Sequence, residues 1–236
     1  AIRRGECFAA LVGGVNLDLH QAKFDLNSAG GSFSRDGVCR SFGKGADGYV
    51  SGEGVGAFLL KRLDQAITDG DNIHGVIKSD AVRHSGRTSG YTVPGPQSQS
   101  KLILKALQRA DIDARSIGYI EAHGTATDLG DAIEIAGLTR AYQEYGVAKQ
   151  SCPIGSVKTN IGHLEAASGV VGMQKVLLQM KHRTLVPSLH SAELNEGIDF
   201  AGSHFYVQQR VEEWATRTLE GVRFPRRAGI SAIGAG

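Results

Sequence analysis

The chain has 236 residues, with 26 lysines and arginines against 24 aspartates and glutamates, and a formal net charge of +2 with no basic block gives nucleic-acid binding no footing. No apolar run approaches the ~18 residues of a membrane span, so no membrane association is expected. Hydrophobic residues at 41% and charged residues at 21% suffice for a buried core and exclude a disordered chain.

Cys7, Cys39 and Cys152 are odd in number and share no paired spacing. That pattern argues against a disulfide framework or a metal site and suits a reducing cytoplasm. Arg3, Arg4, Arg223, Arg226 and Arg227 read as solvated surface. The sequence opens on AIRRGE, like the end of a helix, and closes on GAG in mid-loop. Both ends are therefore expected to be cut.

Strands are predicted over residues 8–15, 55–61, 75–81, 117–122 and 205–208, each a short apolar or β-branched run between turn residues. A helix is predicted over 97–110, where Ile103, Ala106, Leu107 and Ala110 recur at helical spacing. Two more are predicted over about 132–145 and about 162–181. Strands alternating with helices at this pitch indicate a layered α/β domain. Asp131 followed by Glu134 has the spacing of a capping box. The last helix has no charge between Glu165 and Lys175, and its glycines and alanines make it thin. Such a helix is expected to be buried with other backbone close against it. His163 would then stand at its N-terminal tip, where the helix dipole and burial both disfavour an imidazolium. A neutral imidazole there is a hydrogen-bond donor. His123 ends the strand predicted over 117–122, and strand ends are where α/β domains meet ligands.

His123 lies in EAHGTATDLGDAIE, and His163 in GSVKTNIGHLEAASG with Lys158 five residues earlier. These two motifs, in this order, resemble those of the β-ketoacyl synthases of polyketide and fatty-acid assembly. RRGECFAALVGGVN, GADGYVSGEGVGAFLLKRLDQAITDGD and RRAGISAIGAG extend the resemblance over essentially the whole chain. GYTVPGPQSQ, LVPSLHSAELNEGIDF and FYVQQ are most similar to modular polyketide synthases whose acyltransferase is a separate protein. Gly172 agrees, since fatty-acid enzymes often carry glutamate there.

The resemblance implies a thiolase-like fold, layered α/β/α/β/α and incomplete at the N-terminus and at the C-terminus. Residues 1 to about 80 would be the tail of its first half, and about 81–236 most of its second. It implies decarboxylative condensation of a malonyl-type extender, borne by an acyl carrier protein, with an acyl-cysteine. His123 and His163 would be the donors to the enolate oxygen, and Lys158 a fixed positive charge that organises the site. Thr125 and Thr127 would hold the phosphopantetheine arm, which belongs to the carrier, so no cofactor of the chain's own is expected. A homodimer is implied for the full-length protein. The nucleophilic cysteine of the family would lie before Ala1, and none of the three cysteines has its small-residue context.

The departures are Ala126 for glycine or serine, Ala132 for proline, Arg83 and Ser85 for asparagine and aspartate, and Ala235 for a gating phenylalanine. Two alternatives stay open. A non-elongating ketosynthase would transfer an acyl chain without condensation, although such domains often lack the histidine at His123. A catalytically empty structural fragment is the other.

Overall fold

The computed structural model describes residues 1–86 and 95–234. After a 3-10 turn at Ile2–Arg4, strand β1 (Ala9–Asn16) is followed by helix α1 (Gln21–Ala29). Strand β2 (Gly54–Lys61) returns antiparallel to β1, in register from Ala9 opposite Lys61 to Asn16 opposite Gly54. A short helix α2 (Leu63–Thr68) closes this part. Helix α3 (Pro96–Ala110) leads to β3 (Tyr119–Glu121), α4 (Asp128–Gln143), β4 (Cys152–Gly155) and α5 (Lys158–Ile161). Helix α6 (Ser168–His182) follows, then the short strands β5 (Thr184–Leu185), β6 (Phe205–Val207), β7 (Glu212–Glu213), β8 (Thr218–Leu219), β9 (Val222–Arg223) and β10 (Ala228–Ile230). The second sheet is parallel, in the order β10-β3-β4-β6.

Layering follows from strand alternation. On β3, Ile120 packs with Leu107 of α3 and Ile135 and Leu138 of α4 on one face. Tyr119 and Glu121 face the other way, toward Val176 and Lys175 of α6. Helix α6 in turn packs on β1 and β2. The order is thus α3/α4, parallel sheet, α6, antiparallel pair. Burying both faces of the parallel sheet explains why its strands carry almost no polar alternation. Beyond the pair, Leu11, Val55 and Leu59 are more than 70% exposed.

The thin helix expected from its small residues is confirmed in its packing. A Cβ on Gly14 would sit 2.6 Å from the carbonyl oxygen of Ala166, and one on Gly172 would meet the Glu121 side chain at 3.3 Å. Gly14→Val is expected to cost about 1–3 kcal/mol by overpacking, read as a fall in the urea midpoint at constant slope.

Three expectations are corrected. Residues 75–81 form no strand: Val76 and Ile77 are half exposed and no neighbour among the described residues supplies a ladder. A β-branched run becomes a strand only where its backbone groups find partners. The helix over 162–181 is not continuous, because Gly162 at φ 77 ends α5 and a 3-10 turn at Glu165–Ala167 precedes α6. His163 therefore sits in a break five residues before α6, not at its tip. Helix α4 starts at Asp128 after Thr127, earlier than expected, and Asp131 is no cap. Its carboxylate instead accepts the amides of Phe42 (2.7 Å) and Ala126 (3.2 Å).

Candidate active site

The C-terminal ends of β3 and β4 and the break before α6 bring three predicted residues together. His123 leaves β3, and Glu134 of α4 fixes the turn, taking the His123 amide on one oxygen (2.8 Å) and the Gly124 amide on the other (2.9 Å). Gly124 has φ +45, and a Cβ there would lie 2.7 Å from Ser156 Cβ, so both backbone conformation and space favour glycine. Lys158 follows β4 at the start of α5 and is 3% exposed. Its Nζ lies 3.5 Å from Nδ1 of His123.

His163 is held by its backbone: its amide donates to Val50 O (2.7 Å) and its carbonyl accepts from Gly52 (3.1 Å). Its ring packs edge-on against His123, with centroids 5.3 Å apart at 86°, and against Tyr49 at 4.8 Å. Forty residues of chain separate the two histidines, and the parallel sheet closes that distance by setting β3 beside β4.

The hydrogen bonds assign the tautomers. Nδ1 of His163 accepts the Glu165 amide (2.9 Å), with Ser168 Oγ also 2.9 Å away. Nδ1 of His123 accepts the Ile233 amide (3.3 Å). A nitrogen that accepts an amide proton carries none itself, so in each neutral ring the proton is on Nε2. Burial first, then the Lys158 ammonium and the other histidine, hold His123 well below the usual imidazole range. Burial, Lys158 and Lys23 hold His163 down at about 3. Both rings are therefore neutral Nε2–H donors at neutral pH. Burial lowers Lys158 as well, while Glu134 and then Glu121 pull it back up.

A histidine depressed on folding binds fewer protons folded than unfolded between its two pKa values. His163 thus contributes stability that is complete above the unfolded value near 6.5 and is lost as pH falls toward about 3. In a pH titration followed by imidazole NMR, the His163 ring signals are expected to hold their neutral shifts down to about pH 4. A midpoint between 6 and 7 would overturn the neutral-donor assignment.

Thr125 and Thr127 flank Ala126 in the loop before α4, with hydroxyls 3.4 Å apart. Both are partly exposed, whereas Ala126 is fully buried at φ 58. Ala235 lies outside the described residues, as do 90–94 of GYTVPGPQSQ. Cys39 and Cys152 are buried, and burial raises both thiols, Cys152 to about 12. Neither is an activated thiolate. Cys7 is half-buried near the 3-10 turn at the start of the chain. Among the described residues no group of His, Cys, Asp or Glu is gathered to hold a metal, and no helix is long and apolar enough to cross a membrane.

Sequence reasoning missed the carboxylates. Glu121 and Glu134 both stand in EAHGTATDLGDAIE, and each was available as a residue that a buried strand or helix would not carry unpaired. The capping-box spacing drew Glu134 to the wrong partner.

A parallel sheet covered by helices on both faces, with an antiparallel pair beyond one helix layer, is the layered arrangement of thiolase-like ketosynthase domains. The solved structures agree. The oxazolomycin ketosynthase domain OzmH KS7 of Streptomyces albus JA3453 is similar with a TM-score of 0.97 and 48% identity, covering 100% of this chain and 41% of that one. The ketosynthase from module 6 of the bacillaene synthase of Bacillus subtilis 168 gives 0.94 and 44%, covering 99% and 41%. Models of the β-ketoacyl synthase N-terminal and C-terminal domains match residues 1–66 and 74–192. The chain belongs to the β-ketoacyl synthase family. Its relatives there are modular: it is 54% identical over its whole length to polyketide synthase PksL of Bacillus subtilis (strain 168), of which it spans 5%. It is 51% identical to polyketide synthase ThaG of Burkholderia thailandensis, of which it spans 4%.

Proposed function

We propose that these residues form the condensing half of an elongating ketosynthase site of a modular polyketide synthase. The carrying observation is that both histidines have Nδ1 occupied by a backbone amide, which leaves two neutral Nε2–H donors in one place. In the reaction, a malonyl thioester on an acyl carrier protein loses its carboxylate as CO2. The electron pair of the broken C–C bond goes to the enolate, whose oxygen His123 and His163 stabilise. The enolate carbon then attacks the acyl-cysteine carbonyl, and the C–S bond breaks to release the thiolate. Preorganised neutral donors suit a developing oxyanion, since they need no reorganisation as charge appears. Lys158 supplies fixed positive charge beside His123, and Thr125 and Thr127 hold the phosphopantetheine arm of the carrier.

The reading also takes the chain as two parts that meet near residue 80, in keeping with an antiparallel pair drawn from one side and a parallel sheet from the other. It takes the working enzyme as a cytoplasmic homodimer, in keeping with three free thiols and the apolar outer face of β1–β2. The elongating form is favoured over a non-elongating one by His123 itself.

Residues 1–236 alone are expected neither to take an acyl group nor to condense, because acylation requires an activated thiolate. Incubation with an acyl thioester and intact-mass measurement checks this. Stoichiometric acylation of Cys7, Cys39 or Cys152, followed by condensation with a malonyl carrier protein, would falsify it.

A further inference from the structure

Behind the histidines lies a buried polar cluster that the mechanism above does not use. Glu121, the residue two before His123, is 2% exposed. One carboxylate oxygen accepts the Val157 amide at 2.6 Å. The other accepts from Lys175 Nζ at 2.8 Å and Tyr119 OH at 2.8 Å, and Lys175 also reaches the Tyr119 hydroxyl at 2.8 Å. Three segments therefore meet on one side chain: β3, the residue that opens α5 and the middle of α6. Val157 is the residue before Lys158, so its amide sets where α5 begins and where the lysine points.

A carboxylate in the core is stable only with its partners. Lys175 and Tyr119 occupy a single oxygen and leave the second free for Val157. The arrangement fixes the carboxylate in two directions at once, as a support for a neighbouring functional group must be. Among the described residues, Lys158 Nζ has no carboxylate within ion-pair distance, and its one hydrogen-bond partner is His123 Nδ1. The groups facing it are His123, His163, Glu134, Glu121, Asp131 and Cys39. Its location thus depends on backbone anchoring, to which the Glu121–Val157 bond (2.6 Å) contributes beside the Lys158 amide's own bond to Ser156 Oγ (3.3 Å).

We propose that Glu121, locked by Lys175 and Tyr119, is a positioning residue for Lys158, and through it for the His123 ring. The proposal rests on the reading of His123, His163 and Lys158 as the decarboxylating site. After Glu134, the Glu121 charge also raises the proton affinity of Lys158 against the burial that lowers it. Removing that charge while keeping an acceptor should therefore lower the lysine's proton affinity. The alkaline limb of the rate profile then moves to lower pH.

The test uses a ketosynthase that carries this chain together with an acyl-accepting cysteine. Malonyl decarboxylation and cysteine acylation are measured separately in Glu121→Gln, Glu121→Asp, Tyr119→Phe and His123→Ala. Glu121→Gln is expected to lower the decarboxylation rate constant about tenfold or more, with KM for the malonyl carrier within about twofold, because a misplaced group costs rate more than binding. Its alkaline limb is expected at lower pH than the parent's. Glu121→Asp keeps the charge and loses the reach, so it should lose rate without moving the limb. Equal losses in acylation and decarboxylation, or an unmoved limb in a folded Glu121→Gln protein, overturn the proposal. If Glu121→Gln does not fold, Tyr119→Phe decides: a threefold loss or so in decarboxylation supports the link, and a rate equal to the parent's overturns it. Full decarboxylation in His123→Ala would instead overturn the reading of the site itself.

Discussion

His123→Ala, in a ketosynthase that carries this chain with an acylatable cysteine, is expected to lose malonyl decarboxylation by about 10²–10³-fold, the usual effect of removing one preorganised oxyanion donor. Cysteine acylation should stay measurable, since that step does not generate the enolate. The structure sharpens the expectation. The His123 ring is set by a backbone amide at Nδ1 and the turn beneath it by Glu134, so the alanine variant loses the donor while Glu134 still holds both amides. The fold is therefore expected to survive, with an unfolding free energy unchanged to within about 1 kcal/mol. Radiolabelled or spectrophotometric CO2 release, set against intact-mass acylation, separates the two steps. Equal loss of both would overturn the assignment of His123 to the decarboxylation step alone.

The second large effect is on stability. Lys175→Met removes the cation from a pair in which Lys175 is 8% exposed and Glu121 2%. It strands a carboxylate between β3 and α6 with Tyr119 and Val157 as its remaining donors. Breaking a buried pair from one side typically costs about 3–5 kcal/mol, because the remaining charge stays desolvated without its partner. The double variant Lys175→Met with Glu121→Gln removes both charges and should recover much of that loss. Urea midpoints of parent, singles and double complete the cycle. Additive losses would mean that the two side chains are not coupled, against the 2.8 Å contact between them.

The two variants probe different parts of one cluster. His123 is where chemistry is expected, and the Glu121–Lys175 pair is the floor beneath it. The carboxylates reach backbone amides, which ties the site to the sheet through bonds that side-chain packing alone does not supply. Asp131 belongs to the same floor. Burial pushes its carboxyl up to about 7, while its bonds to the amides of Phe42 and Ala126 draw it down. Because a raised carboxyl binds protons more tightly folded than unfolded, its contribution to stability declines as pH rises from about 4 to about 7.

By itself the sequence marked the candidate site residues and placed several of the elements. His123, His163 and Lys158 lie in motifs whose residue types and order are local, and β1, β2, α3 and β6 follow periodicities that need only a few neighbours. The thinness of α6 was also legible, since a stretch of glycine and alanine without charge admits close backbone. What the tertiary structure decided was everything set by partners distant in sequence. Residues 75–81 have strand composition but no ladder, which depends on another segment and not on propensity. The break at Gly162 hangs on the bonds between His163 and residues 50–52, which no helical pattern reveals. Asp131 and Glu134 have capping spacing, yet their oxygens went to amides of Phe42, Ala126, His123 and Gly124. A carboxylate's spacing along the chain says which amides are near in sequence; only packing says which amides lack another acceptor.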